Sequence, residues 1–205
     1  MNQRCHSHHN HTHGNHPHGS SSFWMHDSVK IFREIQLQEG MCFLDLGCGP
    51  GDYALQAANI VGAPGLVYAL DRWEQMIVNL TQKADSQGLK NIKAMVADIT
   101  GVFPIAEQCV DVCFIATVLH TLNLKKDGNS VFNEIYRVLK PGGQLAIIEC
   151  KKEQQMFGPP QEMRLSPEEL EAAITPLGFE IINTVDLGNN YLTHFRVNKE
   201  IAVSV

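Results

Sequence analysis

From about residue 41 onward, short apolar runs alternate with longer stretches whose apolar residues recur at helical spacing. The short runs have the length of buried strands, and the longer stretches have the period of amphipathic helices. Strands that alternate with helices of this length form βαβ units, so the pattern predicts a parallel sheet covered on both faces. The five predicted strands are residues 42–46, 66–70, 92–97, 112–116 and 144–149. The predicted helices between them are residues 52–61, a helix ending near Gln87, and one that Ser130 caps and that ends before the Pro-Gly-Gly sequence at 141–143.

The last third of the chain has a different pattern. Residues 166–169 have the sequence of a capping box with proline at the first helical position, which predicts a helix to about Leu177. Residues 179–187 and 191–197 follow as two predicted strands, joined by a Gly-Asn-Asn turn at 188–190. The parallel sheet is therefore expected to end in an antiparallel hairpin, without a second domain.

The first 22 residues differ from all that follows. They contain almost no apolar side chains, so they cannot bury enough surface to offset the entropy of ordering. We expect a disordered tail over residues 1–22 and a folded domain over 23–205, whose first helix is capped by Asp27. Imidazole is the preferred nitrogen ligand of Ni²⁺, Cu²⁺ and Zn²⁺, so the tail is a candidate site for these ions. The candidate ligands are His6, His8, His9, His11, His13, His16 and His18.

The charge balance limits the partners. Sixteen Lys and Arg stand against 22 Asp and Glu, a formal net charge of −6, which argues against binding to nucleic acid or an anionic membrane surface. No apolar run approaches the roughly 18–20 residues needed to cross a bilayer, and the polar N-terminus does not have the pattern of a secretory signal. The six cysteines form no C-x-x-C pair, so we expect reduced thiols in a cytoplasmic protein. The sequence leaves the oligomeric state open.

A glycine-rich turn follows the first predicted strand. Residues 47–51 read Gly-Cys-Gly-Pro-Gly, and such a turn lets backbone N–H groups approach a ligand at the start of a helix. The dinucleotide-binding pattern G-x-G-x-x-G is not met, because Asp52 stands where its third glycine would be. A carboxylate at Asp45 would repel a pyrophosphate but suits a ligand with an amino group. The turn therefore points away from a nicotinamide cofactor and towards an aminoacyl-nucleoside.

Five motifs, in order along roughly residues 25–198, resemble those of class I S-adenosylmethionine-dependent methyltransferases. Residues 43–51 resemble the first motif, Asp71 ends the second strand, and Asp98 follows the third. Residues 111–117 resemble the fourth-strand motif, and residues 138–143 resemble the usual entry to the fifth strand. The resemblance implies a Rossmann-like α/β fold with a seven-stranded, mainly parallel sheet, an antiparallel C-terminal hairpin, and helices on both faces.

The same resemblance implies which residues bind the co-substrate. The family's acidic residue at the position of Asp71 binds both ribose hydroxyls, and its Asp at the position of Asp98 contacts the adenine amino group. Taken alone, each of these two aspartates would more often be a helix cap than a ligand contact; the register with the glycine-rich turn favours the contact. Cys48 is expected to contribute mainly its backbone. The residues expected to contact S-adenosylmethionine are Asp45, Gly47, Cys48, Gly49, Gly51, Asp71, Arg72, Asp98, Ile99 and Thr117.

The C-terminal third resembles a compact branch, similar to ubiquinone- and menaquinone-biosynthesis methyltransferases but without a large substrate-recognition insertion. Residues 150–165 are the only sizeable loop that could cover the site. We therefore expect methyl transfer to a small molecule with an O, N, S or C nucleophile, by positioning and in-line displacement.

His120, just beyond the fourth strand, is the expected catalytic residue on the substrate side, where it could act as a general base. The alternative is a histidine satisfied by the backbone at the start of a helix. His26 and Tyr53 are weaker candidates for the same role. Arg164 could bind an anionic group of the substrate, although a surface salt bridge is the favoured interpretation.

Three other functions remain open. Arsenite-type methyltransferases bind the metalloid through three cysteines, but Cys109 and Cys113 would lie about 13 Å apart in an extended chain and could not chelate together. A metal-responsive binding protein on the same fold would make the histidine-rich tail its main feature. A nicotinamide-dependent oxidoreductase is disfavoured by the missing third glycine.

Overall fold

The computed structural model describes residues 22–153, 155–156 and 158–199. Within these residues seven strands form one sheet in the order β3-β2-β1-β4-β5-β7-β6. The strands are β1 (Cys42–Leu46), β2 (Leu66–Asp71), β3 (Ile92–Val96), β4 (Val110–Ala116), β5 (Leu139–Cys150), β6 (Phe179–Asp186) and β7 (Asn190–Val197). The α-helices are α1 (Ser28–Glu34), α2 (Asp52–Val61), α3 (Glu74–Ser86), α4 (Leu124–Val138) and α5 (Pro167–Ile174). Short 3-10 helices are Ser22–Met25, Leu119–Thr121, Gln161–Met163 and Thr175–Leu177.

The sheet has the predicted mixture of pairings. Strands β1 to β5 pair in parallel, whereas β7 is antiparallel to both β5 and β6. Because β1 and β4 are neighbours although β2 and β3 lie between them in sequence, the direction of winding reverses there. Open α/β sheets bind ligands at such a reversal, beyond the carboxyl ends of the strands. The predicted seven-stranded Rossmann-like fold is confirmed.

Both faces of the sheet are covered by helices. Alternate residues of β1 point to opposite faces, so Phe43 packs with α1, α2 and α3 while Leu44 packs with α4 and α5. Among the described residues, no helix is both long and apolar enough to cross a membrane.

Two predicted boundaries are wrong. Helix α4 begins at Leu124 rather than after Ser130, and its cap is Asn123, whose side chain accepts a hydrogen bond from the Lys126 N–H at 3.3 Å. The first turns of α4 are mostly polar, so the apolar periodicity becomes visible only at Val131. Strand β5 begins at Leu139, and the Pro-Gly-Gly sequence lies inside it, beside a register shift in its pairing with β4.

Other predicted details are confirmed. The Asp27 side chain caps α1 by accepting from the Lys30 N–H at 3.1 Å. Ser166 and Glu169 form both hydrogen bonds of a capping box at the start of α5. The β6–β7 hairpin forms where the Gly-Asn-Asn turn predicted it. The predicted disordered tail lies outside the described residues.

Candidate active site

Two cavities lie beyond the carboxyl ends of β1, β2 and β4, and they share Gly47, Thr117 and Val118. The first is lined by Gly47, Asp71, Arg72, Trp73, Ala97, Asp98, Ile99, Thr117, Val118, Thr121 and Leu122. The second is lined by Ser22, Asp45, Gly47, Cys48, Gly49, Pro50, Tyr53, Ala116, Thr117 and Val118. Every expected co-substrate residue except Gly51 therefore lines one cavity or both. We name them the first and second cavities.

A residue larger than glycine would not fit at position 47, where the two cavities meet. Gly47 has φ +70°, and a Cβ there would lie 2.6 Å from Cγ2 of Val118. Gly49 has φ +51° but faces open space, since a Cβ there would have no atom within 4 Å. Gly51 supports the turn from outside the cavities: it caps α2, and a Cβ there would collide with Leu80.

Asp45 brings a buried carboxylate to the second cavity. Its side chain is almost fully buried, and Oδ2 has no hydrogen-bond partner. Burial, together with the nearby Asp71 carboxylate, raises the pKa of Asp45 to about 7, although the Ala54 backbone N–H lowers it. An unpaired buried carboxylate oxygen is costly, and a ligand ammonium group would satisfy it.

Asp71 ties the first cavity to the glycine-rich turn. One carboxylate oxygen accepts from the Gly49 N–H at 2.9 Å, and the other accepts from the Trp73 N–H at 2.9 Å. A carboxylate has about four lone-pair sites, so two remain for hydroxyl groups of a ligand. Anchoring and ligand binding are therefore compatible in the same side chain.

Asp98 is exposed and closes a local turn at the end of β3. It accepts hydrogen bonds from the Thr100 N–H at 2.9 Å and from the Thr100 hydroxyl at 2.8 Å. These bonds lower the pKa of Asp98, so its carboxylate is ionised at neutral pH. Asp98 thus closes a turn and not a helix, since the next regular element is β4, and its side chain also lines the first cavity.

Trp73 is a cavity residue that sequence reasoning missed. Its ring is 60% exposed, and the Arg72 guanidinium carbon lies 5.0 Å from the ring centroid. Because the side chain does not belong to an apolar stripe, only its position just after the second strand could have indicated a role. Ala97, Val118, Thr121 and Leu122 were missed for the same reason, since they come from turns rather than regular elements.

Thr117 lies at the boundary of the cavities with an unusual backbone. Its φ is +56°, a region that β-branched residues rarely adopt and that costs about 1–3 kcal/mol. Its N–H donates to the Ile148 carbonyl at 2.7 Å, and its hydroxyl donates to the Ala116 carbonyl at 2.7 Å. These bonds hold the strained turn where β4 ends.

His120 is held by a buried acid. Its Nδ1 lies 2.8 Å from Oε2 of Glu149, which is fully buried at the end of β5. The other carboxylate oxygen accepts from the Leu119 N–H at 2.7 Å. This arrangement fixes both the ring and the turn after β4, although neither cavity has His120 among its described lining residues. Glu149 was missed because it ends an apolar run and reads as the edge of a strand.

His26 and Tyr53 meet at the second cavity. Nδ1 of His26 lies 2.9 Å from the Tyr53 hydroxyl oxygen, and Tyr53 lines the cavity. The Phe23 ring packs edge-on against the Tyr53 ring, with centroids 5.0 Å apart. The 3-10 helix Ser22–Met25 therefore forms part of the cavity wall.

Two candidates from the sequence are placed elsewhere. Arg164 is 4% exposed and donates to the carbonyl oxygens of Pro159, Lys151 and Glu153, so it is a buried residue and not the surface residue that was expected. These hydrogen bonds hold the loop after β5 together from its buried side. Cys113 is fully buried in the core, where burial raises the pKa of its thiol well above the usual value.

In the described part of the chain, no group of three or more His, Cys, Asp or Glu is arranged to hold a metal ion. The seven histidines of the tail lie outside that part.

Residues 37–198 match the family described as "Methyltransferase domain". A solved structure of a SAM-dependent methyltransferase from Aquifex aeolicus superposes with a TM-score of 0.79 at 31% identity, covering 87% of this chain and 94% of that one. The chain belongs to the methyltransferase domain family.

Relatives with assigned names are matched over part of their length. Demethylmenaquinone methyltransferase of Lactobacillus johnsonii is 35% identical over 124 residues, which are 60% of this chain and 49% of the relative. Arsenite methyltransferase of Halobacterium salinarum is 30% identical over 135 residues, 66% of this chain and 33% of the relative. The chain thus spans about half the length of the first relative and a third of the second.

Proposed function

We propose that this protein transfers a methyl group from S-adenosylmethionine to a small-molecule acceptor. The observation that carries the proposal is the pair of joined cavities, with the unpaired carboxylate oxygen of Asp45 at one end and Asp98 at the other. A zwitterionic amino acid joined to a nucleoside has an ammonium group at one end and an adenine amino group at the other. Membership of the methyltransferase domain family supports the same activity.

The residues present fit this co-substrate. Asp45 would accept from the ammonium group, Asp71 would use its free lone pairs for the ribose hydroxyls, and Asp98 would accept from the adenine amino group. Arg72, Trp73 and Ile99 line the first cavity, and the backbone of the 47–51 turn separates the two ends. When bound, the co-substrate supplies a methyl group that is already electrophilic, because it is attached to a sulfonium.

The chain's own contribution is mainly positioning. Holding the two reactants in line replaces a bimolecular encounter by an effectively unimolecular step. We propose that His120, with its ring held by Glu149, lies on the acceptor side and keeps the turn after β4 in place. The compact loop of residues 150–165 leaves room for a small acceptor rather than a macromolecule.

A second candidate function is methylation of a metalloid, which is suggested by the similarity to an arsenite methyltransferase. The cysteine positions do not favour it. Cys48 and Cys113 are buried, and burial raises the pKa of both thiols, whereas a metalloid is bound by exposed thiolates. The similarity to demethylmenaquinone methyltransferases supports a small organic acceptor instead.

Binding of the demethylated product, S-adenosylhomocysteine, tests the co-substrate site by calorimetry. We expect micromolar affinity for it and for S-adenosylmethionine, and none for NADH. Gly47→Ala should abolish this binding, because its Cβ would collide with Val118. The matched control is Gly142→Ala, which has a similar φ of +72° but faces open space far along the chain. Failure of the wild-type protein to bind either adenosyl ligand would overturn the proposed activity.

We also propose a cytoplasmic location, since the five described cysteines are all free thiols. A partner of nucleic-acid type is not proposed, because the chain is acidic. An assay of S-adenosylhomocysteine release across phenol, thiol, amine and metalloid acceptors would identify the accepting atom.

A further inference from the structure

Tyr53 has the one hydroxyl on helix α2 that reaches the second cavity. The tyrosine is only 4% exposed, and its ring is enclosed by Phe23, Phe32 and Phe114. Its hydroxyl lies 2.9 Å from Nδ1 of His26, a hydrogen-bond distance between two groups that are 27 residues apart in sequence. Tyr53, the one aromatic side chain among the described lining residues of the second cavity, thus brings a polar pair to the space next to Asp45.

The far side of the His26 ring faces the protein interior. Its Nε2 is buried without a hydrogen-bond partner. The Asn190 side chain of β7 also acts on the ring and raises the pKa of His26. A proton relay through the Tyr53–His26 pair needs the tautomer with its proton on Nε2 and a lone pair on Nδ1.

The protonation states suit a relay. Burial lowers the pKa of His26 more than Asn190 raises it, so the ring is neutral at pH 7 and can accept a proton. Burial raises the pKa of Tyr53, a hydrogen bond with the Ser22 side chain lowers it by less, and the nearby Asp45 adds to the rise. The phenol therefore keeps its proton unless it receives another in exchange. The hydroxyl can therefore donate to Nδ1 while its oxygen accepts from a group in the cavity.

We propose that Tyr53 contacts the methyl acceptor, and that the Tyr53–His26 pair removes the proton of an acidic hydroxyl on that acceptor. The inference rests on the proposed methyltransferase function and adds the acceptor's chemical class, a phenol or an enol. In the transfer step, the acceptor oxygen forms a bond to the methyl carbon as the carbon–sulfur bond breaks, and the bonding pair stays on the sulfur. The hydroxyl proton moves to the Tyr53 oxygen as the Tyr53 proton moves to Nδ1. The sulfonium charge is thereby replaced by an imidazolium charge.

Because His26 is a weak base, the acceptor must carry an acidic hydroxyl. A buried histidine is a weak proton acceptor, and proton transfer is efficient when the donor and acceptor are not far apart in acidity. Phenols and enols meet that condition, whereas aliphatic alcohols do not.

The first test compares two acceptors that differ in the need for a base. Catechol carries an acidic hydroxyl, whereas iodide is methylated without losing a proton. Tyr53→Phe and His26→Gln should lower the rate with catechol by about 10²-fold, the scale of general base catalysis, and leave the rate with iodide unchanged. Ser130→Ala, on the exposed face of α4, is the control expected to leave both rates unchanged. Equal loss on both acceptors would mean a structural role, and no loss on catechol would mean that the pair is idle; either result overturns the relay.

The second test does not depend on turnover. Nitrogen-15 NMR of the histidine rings in the full chain, assigned by the resonances lost in His26→Gln, reports which ring nitrogen carries the proton. We expect an unprotonated Nδ1 and a protonated Nε2 at pH 7, with the Nδ1 signal shifted in Tyr53→Phe. A proton on Nδ1, or a doubly protonated ring, would overturn the relay even if the protein binds S-adenosylhomocysteine. Absence of that binding would instead overturn the proposed methyltransferase function.

Discussion

The buried carboxylate of Asp45 lowers the stability of the folded chain, and the same group forms part of the proposed co-substrate site. Its pKa is about 7 in the folded chain against 3.8 as the ordinary value, so the folded state binds a proton more tightly than the unfolded state does. Stability therefore falls as the pH rises from about 4 to about 7 and stays lower above that range. Such a cost at a buried group is typical of a residue retained for binding rather than for packing.

Replacing Asp45 by Asn should stabilise the protein without its ligand. At pH 8 we expect the free energy of unfolding to rise by roughly 1–3 kcal/mol, since a buried charge is removed and each pKa unit corresponds to about 1.4 kcal/mol. Denaturant unfolding at pH 8 and pH 4 measures this, and the gain should be smaller at pH 4, where the wild-type group is already neutral. A gain of the same size at both pH values would mean that ionisation of Asp45 is not its cause.

The same ionisation should govern ligand affinity. The ammonium group of S-adenosylhomocysteine prefers the ionised carboxylate, so its affinity for the wild-type protein should weaken, by up to about tenfold, when the pH falls from 7.5 to 6. In Asp45→Asn the affinity should be weaker throughout and should depend less on pH. Calorimetry over this pH range would contradict the assignment if both proteins showed the same slope.

Residues that act alone were predictable from sequence, and residues that act in pairs were not. Asp45, Asp71 and Asp98 lie at or just beyond the ends of recognisable strands, and the resemblance to a known family implied their place in the site. The contact between Glu149 and His120 joins β5 to the 3-10 helix Leu119–Thr121, and the contact between Tyr53 and His26 joins α2 to the segment before α1. Such partners are set by tertiary packing, which no local pattern contains.

Helix ends show the same division between local and distant causes. The capping box at α5 uses neighbouring residues only, and it was predicted correctly. Helix α4 begins in a polar stretch, and its Gly128 is buried in the helix against Leu124 and Phe132, so neither propensity nor periodicity indicates its start. Strand β5 likewise begins before the Pro-Gly-Gly sequence, because Leu139 pairs with Val110 and the register shift between Val110 and Val112 accommodates the residues between Leu139 and Gln144.

A pair of substitutions in and before α4 tests the observed boundary. Asn123→Ala removes the side chain that caps the helix and should cost about 1 kcal/mol of stability. Ser130→Ala places a better helix former at an exposed position in mid-helix and should be neutral or stabilising by a few tenths of a kcal/mol. Thermal and denaturant unfolding of both variants measures the difference. The reverse order of stabilities would restore the boundary at Ser130.

For the molecule as a whole, the fold was largely predictable because two independent features agreed. The alternation of strands and helices predicted the parallel sheet, and the resemblance to a known family implied the number of strands. The histidine-rich segment belongs to neither feature. Ser22, where the described chain begins, lines the second cavity.

Removal of residues 2–21 should separate metal binding from co-substrate binding. The full chain should bind several Ni²⁺ ions through imidazole nitrogens, and the shortened chain should lose that high stoichiometry. Affinity for S-adenosylhomocysteine should remain within about twofold, because Ser22 and all other lining residues are kept. Calorimetry with both ligands on both chains measures this. Loss of both activities would show that the segment is part of the adenosyl site and not an accessory to it.

The place of β7 between β5 and β6 has a consequence for synthesis of the chain. A ribosome releases β5 and β6 before β7, so the two strands cannot be joined through their common neighbour until residues 190–197 have emerged. Until then the free edge of β5 can pair with other nascent chains. Asn190, whose side chain raises the pKa of His26, arrives at the same moment. Newly made chains therefore complete the adenosine half of the site first, and the half next to the acceptor forms only when the sheet closes.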